Sequence, residues 1–393
     1  MSLSARRKKI RIIARQTKSF TLVEVLLSVG ILVILVSMVV VGLGAYKGRT
    51  AFDLDANQIV AVLRNAQARA VSQDRGQGWG VQFTNSSTTG SQYALFWGTS
   101  YTTSSVVVAG TLGYSSVFTD PAPGFSKTIV FNPVTGASAG PDVVVIKNTT
   151  SNNVAIITVS ALGLVGETTE SGLAGYWPMD EGGGTSTYDA SGNNNNGTMT
   201  IGAGGTQTTI SQAWSAGSPG KAGWGINFDG TDDYINAQIG LYFGQNNPLT
   251  ASAWVYVTAS SNGPVFGVTN SPPNTGWNMP FLSINGTTVY GWIWSVNSNV
   301  PLSSTVSANA WHLLTITYTP SGGGQEIFYV DGNAVASGAG QYAPSGSTDY
   351  FSTYIAGAKP TSVLSLLNTK IDDVRIYNRV LSATEIKNLF SAY

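Results

Sequence analysis

The chain has 393 residues, with 20 Lys and Arg, 20 Asp and Glu, one His and no Cys. The lack of cysteine excludes disulfide scaffolds, thiolate metal centres and a Cys nucleophile, and the single histidine, His312, excludes multi-histidine metal sites. Charged residues make up 10% and apolar residues 42%, so cores can form, while the shortfall from a usual charged share of about 25% is filled by the Gly, Ser, Thr and Asn of turn-rich β proteins.

The charge is uneven along the chain. Residues 1–19 carry seven basic residues (Arg6, Arg7, Lys8, Lys9, Arg11, Arg15, Lys18) and no acid, which leaves 13 basic and 20 acidic residues for the rest. An acidic body is a poor match for phosphate backbones, so no nucleic-acid partner is expected. Residues 25–45 hold no charge over 21 positions. As a helix this run is long enough for a bilayer core of about 30 Å, and the basic leader would keep the N-terminus cytoplasmic. A cleaved secretory signal fits less well, since no A-x-A-like site follows the run.

At the edge of this run, Lys18-Ser19-Phe20-Thr21-Leu22-Val23-Glu24-Val25 resembles the processing site of type IV prepilins and pseudopilins. The resemblance implies cleavage between Ser19 and Phe20 by a prepilin peptidase, and methylation of the new Phe20 amine. Ser19 departs from the Gly usual in the family. Glu24 falls where the family keeps the carboxylate that pairs with the amine of a neighbouring subunit during assembly. A carboxylate in an apolar helix is costly without such a partner. Other pilin subunits and the membrane are thus expected partners. The expected location is the bacterial inner membrane, single-pass, before assembly, and then a pilus or pseudopilus at the cell surface.

Leu54, Ile59, Val62, Leu63, Ala66 and Ala70 follow a three-four spacing, which predicts an amphipathic continuation of the helix. Over 20–75 it would be about 80 Å long. From Gly76 the pattern changes to alternation, with strands predicted at 79–83, 93–97, 105–109, 128–131, 142–147 and 154–159. The stretches 64–70, 80–83 and 131–136 resemble minor pseudopilins of the type II secretion H class. Residues 76–165 are therefore expected as a small antiparallel pilin-like domain, and the polar stretch 166–172 as a linker.

Residues 173–393 hold about a dozen short strand candidates joined by turns such as Asn285-Gly286 and Asp331-Gly332, a strong hairpin signal. Regular short strands without helices between them predict a β-sandwich. Ser382 and Glu385 predict a capped closing helix. Seven stretches in order resemble concanavalin A-like, laminin-G-like domains: 175–182, 188–193, 226–234, 253–255, 311–312, 328–332 and 371–382. The fold class expected for the whole is α+β: a long transmembrane and amphipathic N-terminal helix with a small pilin sheet, then an all-β concanavalin A-like jelly-roll sandwich.

The chemistry points away from catalysis. Glycosidases need two carboxylates flanking the bond; the resemblance implies that on this fold both would be Glu, and the glutamates of residues 173–393 are Glu181, Glu326 and Glu385, in no paired spacing. The chain is not expected to be an enzyme. His312 is expected to be structural. Gly217-Ser218-Pro219-Gly220-Lys221 lacks the spacing of a phosphate loop and is expected as a turn. Tyr290, Trp292 and Trp294 share one strand face, expected mainly in the core, with a sugar platform as the alternative. Trp277, in a loop, is the expected exposed ligand contact. The resemblance to laminin-G-like domains also implies calcium held by Asp189 and Asp372; the alternative is an Asx-turn at Asp189 and backbone partners for Asp372. Strand parity with Val374 and Ile376 predicts an inward Asp372.

Two functions fit. One is a pilin-like adhesin whose sandwich binds an extracellular glycan or protein. The other is a pseudopilin of a secretion or DNA-uptake machine, with the sandwich as a structural cap. A sandwich of this size would crowd a tightly packed filament, which favours the adhesin.

Overall fold

The computed structural model describes residues 22–113, 115–237, 239, 247–270, 278–293, 301–320, 324–339, 351–356 and 366–393. The chain divides into two units, Met1–Lys47 and Gly48–Tyr393. The first helix, α1 (Leu22–Val71), spans the division. Within the second unit, α1 buries Phe52, Ala56, Ile59, Leu63, Ala66 and Ala70 and exposes Arg64 and Asn65. This is the periodicity that the sequence predicted from Ile59 to Ala70, whereas Leu54, expected on the same face, is exposed and Phe52 and Ala56 take its place.

That apolar face packs on two antiparallel sheets. One contains β1 (Trp79–Ser86), β2 (Gly90–Trp97), β3 (Val106–Thr111) and β5 (Ser126–Phe131) in the order β3-β2-β1-β5. The other contains β4 (Ser116–Asp120), β6 (Asp142–Asn148), β7 (Val154–Val159) and β8 (Val165–Glu170) in the order β4-β6-β7-β8. Val81, Phe83 and Leu95 from the first sheet and Val144, Ile146 and Ile157 from the second share one core with the helix. β8 occupies most of the stretch expected as a linker and pairs with β7 along its whole length.

The expected fold class and location are corrected here. The structure is mostly β, with three α-helices among the described residues: α1, α2 (Ile210–Gly217) and α3 (Ala383–Ser391). None of these described helices is long and apolar enough to cross a membrane. The second half of α1 is helical for a different reason: its apolar stripe is spent on the sheets, and Asp53, Asp55, Arg64 and Arg69 punctuate the rest. The single-pass inner-membrane placement, and the pilus location that depended on it, do not stand.

From β9 (Leu173–Trp177) onward the chain is a sandwich. One layer centres on Leu249–Val257, which pairs with Ala310–Thr319 on one side and Asn368–Tyr377 on the other. Opposite it run Asn262–Asn270, Asn278–Asn285 and Phe351–Ile355. Ala251, Ala253, Val255 and Val257 meet Val265, Phe266, Phe281 and Leu282 in the core. The outer face of the first layer is covered by α3 (Ala383–Ser391), which starts with the predicted reciprocal Ser382–Glu385 cap. Phe390 of this helix stacks on Trp254 at 5.6 Å. The Arg379 guanidinium holds the Glu385 carboxyl down to about 2.

The last strand carries a bulge that decides the direction of Asp372. Its register pairs Arg375 with Ser252, then Asp372 with Trp254, so Asp373 and Val374 together oppose Ala253. Asp373 takes a φ of 52°, a left-handed conformation that Asp tolerates better than most residues. Val374, Ile376 and Ile371 all face the core, while Asp372 lies on the outer face beside Trp254. The inward Asp372 predicted from simple alternation is thus corrected: the bulge inserts one residue and inverts the parity.

Candidate functional site

Ionisable groups gather where the β domain meets the sandwich. Lys127 Nζ, on β5, lies 2.6 Å from Asp120 Oδ2, 3.0 Å from Asp180 Oδ2 and 3.4 Å from Asp142 Oδ1. It also donates to the Val143 carbonyl at 2.8 Å. Burial alone would lower the Lys127 pKa, but the carboxylates outweigh it and hold the ammonium well above its usual range. Burial, reinforced by Asp142 and Asp120, pushes Asp180 well up against the pull of Lys127.

Asp180 and Asp372 grip one loop. Asp180 Oδ1 accepts from the Trp224 amide at 2.9 Å, and Asp372 Oδ2 accepts from the Lys221 and Ala222 amides at 2.7 and 2.9 Å. Gly223, at a φ of +56°, lets the loop close: a Cβ there would sit 2.1 Å from Asp180 Oδ1. The Lys221, Ala222 and Trp224 amides thus serve the protein's own carboxylates, while the Ser218 and Gly220 amides donate to backbone carbonyls, as in a turn.

The pair Asp189 and Asp372 fits a shared calcium ion only in part. Asp372 is fully buried and its Oδ1 has no partner, which leaves one oxygen for a cation. Burial, then Asp180 and Asp373, push its pKa well up. Asp189 instead accepts from the Tyr176, Ser191 and Asn195 amides at 2.9 to 3.0 Å, so both its oxygens are engaged in closing its own loop. The two aspartates share none of these donors.

Glu181 follows Asp180 into a cleft of about 80 Å³ beside Phe125, Tyr188 and Pro121. The space is well below the roughly 300 Å³ at which ligand pockets begin. Its Oε1 accepts from the Tyr188 amide at 2.7 Å, while Oε2 has no partner. Burial lifts its pKa to about 7. The folded state therefore holds a proton there that the unfolded chain releases above about pH 4.3. This contribution to stability is present below that pH and is lost as pH rises through 7. Glu181→Gln, which mimics the protonated acid, is expected to raise the melting temperature at pH 8 and leave it unchanged at pH 4. Equal shifts at both pH values would overturn this.

His312 lies within a serine–histidine–aspartate arrangement that spacing did not reveal. Its Nδ1 is 2.7 Å from Asp331 Oδ2 and its Nε2 is 3.1 Å from Ser307 Oγ. Nε2 also lies 3.0 Å from the Ser307 carbonyl oxygen, which can only accept. A general base needs that nitrogen's lone pair free. The Asp331 hydrogen bond raises the His312 pKa, so both contacts favour imidazolium. The arrangement ties the start of its strand to the Asp331-Gly332 turn.

Asp229, Asp232 and Asp233 bring carboxylate oxygens within 4.8 Å of one another. The sequence showed their stretch only as a mark of the fold. Loop amides at Gly202, Gly204, Thr206 and Gln207 donate to them. Burial, with Asp229 and Asp232 close by, pushes Asp233 to about 6.

The aromatic residues divide. Trp177 and Trp254 are buried. On the strand Thr288–Gly291, Val289 faces the core and Tyr290 is half-buried on the opposite side, and beyond it Ile293 is buried while Trp292 is half-buried. The core placement expected for Tyr290 and Trp292 is corrected: Val289 and Ile293 fill the core. Tyr290 is flanked in register by Ser283 and Ser303. Trp277, Trp294, Ser19 and Phe20 lie outside the described residues, as does the Glu24 side chain.

A family described as the concanavalin A-like lectin/glucanases superfamily (laminin G type) matches residues 229–387. The C-terminal domain is concanavalin A-like. Solved structures similar to the chain include domain 4 of AbnA, a GH43 extracellular arabinanase from Geobacillus stearothermophilus, in complex with arabinotriose. It is 19% identical over 56% of this chain and 98% of that one, with a TM-score of 0.38. Trypanosoma rangeli sialidase is 17% identical over 58% of this chain and 34% of its own, at 0.40. The receptor binding domain of botulinum neurotoxin type G is 16% identical over 56% of this chain and 51% of its own, at 0.37. Likeness of this degree bears on neither the ligand nor the activity of the concanavalin A-like domain. No curated protein matches the chain.

Proposed function

We propose that the concanavalin A-like domain is a binding module for an extracellular glycan or glycan-bearing protein, and that it binds without turnover. The observation that carries this is Tyr290, which lies half-buried on the face opposite the core and is flanked in register by Ser283 and Ser303. Aromatic rings with polar tips stack on the apolar faces of sugars while nearby hydroxyls bond their rims. The small Glu181 cleft supports binding over hydrolysis, since it has little room for a sugar ring beside the carboxyl group.

An array of glycans probed with the full chain tests this. Tyr290→Ala, Trp292→Ala and Trp277→Ala are each expected to weaken binding about tenfold, which corresponds to about 1.4 kcal/mol. Unchanged binding in all three, or release of reducing sugar that Glu181→Gln abolishes, would overturn the proposal.

For the N-terminal segment we propose prepilin-like processing between Ser19 and Phe20, which residues 18–25 alone support. The mass of the mature N-terminus is expected to begin at a methylated Phe20. An intact leader in cells that hold the peptidase would reject it.

A further inference from the structure

The outer face of the sheet β3-β2-β1-β5 is the side away from α1, and it carries a groove of about 390 Å³. Its volume lies within the usual range of small-ligand sites. Its shape follows from the strand register. One cross-strand row aligns Thr84, Gln92 and Thr111. The next row on the same face aligns Gln82, Ala94 and Ala109, and its two alanines make a low floor. Beyond the floor, Val106 and Tyr101 form a wall, with Tyr101 edge-on to Phe96 at 5.5 Å. The groove crosses three strands, a span of about 10 Å at the usual interstrand spacing.

The lining contains no charged side chain. Its polar side chains on this face are amides, hydroxyls and the Tyr101 phenol, and each of these offers both a donor and an acceptor. Among the described residues, no protein group hydrogen-bonds the side-chain amides of Gln82 or Gln92. Sugar hydroxyls require this mixed donor and acceptor character, and the C–H face of a sugar ring suits the alanine floor and the tyrosine wall. An acidic glycan or a phosphate would find no cation there, and an extended apolar peptide would leave the amides unpaired.

We propose that this groove is a second carbohydrate site, selective for short neutral oligosaccharides and separate from the concanavalin A-like domain. The full chain on an array of neutral and sialylated oligosaccharides, together with the variants Gln92→Ala, Tyr101→Ala and Ala109→Trp, tests it. Ala109 is exposed, so tryptophan there fills the floor without displacing the core, and an unchanged melting curve checks that each variant folds. Each variant is expected to lose at least tenfold in affinity for one set of neutral glycans. Binding of neutral glycans that survives all three substitutions would overturn the groove and leave the concanavalin A-like domain as the binding site. Binding confined to sialylated glycans, or no glycan bound at all, would also overturn it.

Discussion

Arg375→Met is expected to cost about 3–5 kcal/mol of stability, the range for removing one partner of a buried ion pair. Arg375 is 3% exposed. It donates to Glu170 at 3.0 Å, to Asp373 at 3.1 Å and to the Tyr393 hydroxyl at 2.8 Å, and its guanidinium lies 4.4 Å above the Tyr176 ring. Methionine would fill much of the volume but leave the Glu170 and Asp373 carboxylates buried without a counter-charge. Burial already pushes the Glu170 pKa up against the pull of Arg375, and without the arginine it should rise further. The loss is therefore expected to be largest at neutral pH and to shrink toward pH 4, where Glu170 takes up a proton. Adding Glu170→Gln to the Arg375→Met variant should restore part of the loss. Urea unfolding at both pH values measures this, and a loss below about 1 kcal/mol at pH 7 would show that the guanidinium is not the counter-charge. Because Glu170 ends β8 while Arg375 belongs to the last strand, the same variant should speed amide exchange along β8.

Lys127→Met is expected to have a comparable effect, about 3 kcal/mol or more, with a steeper dependence on pH. One ammonium faces Asp120, Asp180 and Asp142. Without it three carboxylates would confront one another in a site where the Asp120 and Asp180 side chains are 10% and 6% exposed. Like charges held together shift their pKa values upward, so the variant should recover stability as pH falls and these groups protonate. Urea unfolding between pH 4 and 8 is the measurement. A loss independent of pH would mean that Lys127 contributes through the packing of its aliphatic stem alone.

The repeating and local features of this protein were determined by its sequence. Period-two alternation marked β1, short apolar runs bounded by turns marked β6 and β7, the three-four spacing marked the packed half of α1, and Ser382 with Glu385 marked the start of α3. Each depends on residues within a few positions of one another, so neighbouring side chains suffice to reveal it. In the β domain before the sandwich, two short strands escaped. Ser116–Asp120 holds only five residues and ends at Pro121, and Val165–Glu170 is polar enough to read as a linker. Both are edge strands held by pairing with β6 and β7.

Tertiary structure alone decided the rest. Lys127 meets Asp180 across 53 positions and Arg375 meets Glu170 across 205, and no local pattern encodes such pairings. The direction of Asp372 turned on one residue, Asp373, whose left-handed conformation inserts a bulge and reverses the parity of everything on one side of it. Tyr290 and Trp292 show the same limit in simpler form. Alternation tells which residues share a face, but both faces of that strand carry large residues. Only the packing of Val289 and Ile293 into the sandwich core places the two aromatic rings on the opposite face, where both are half-buried.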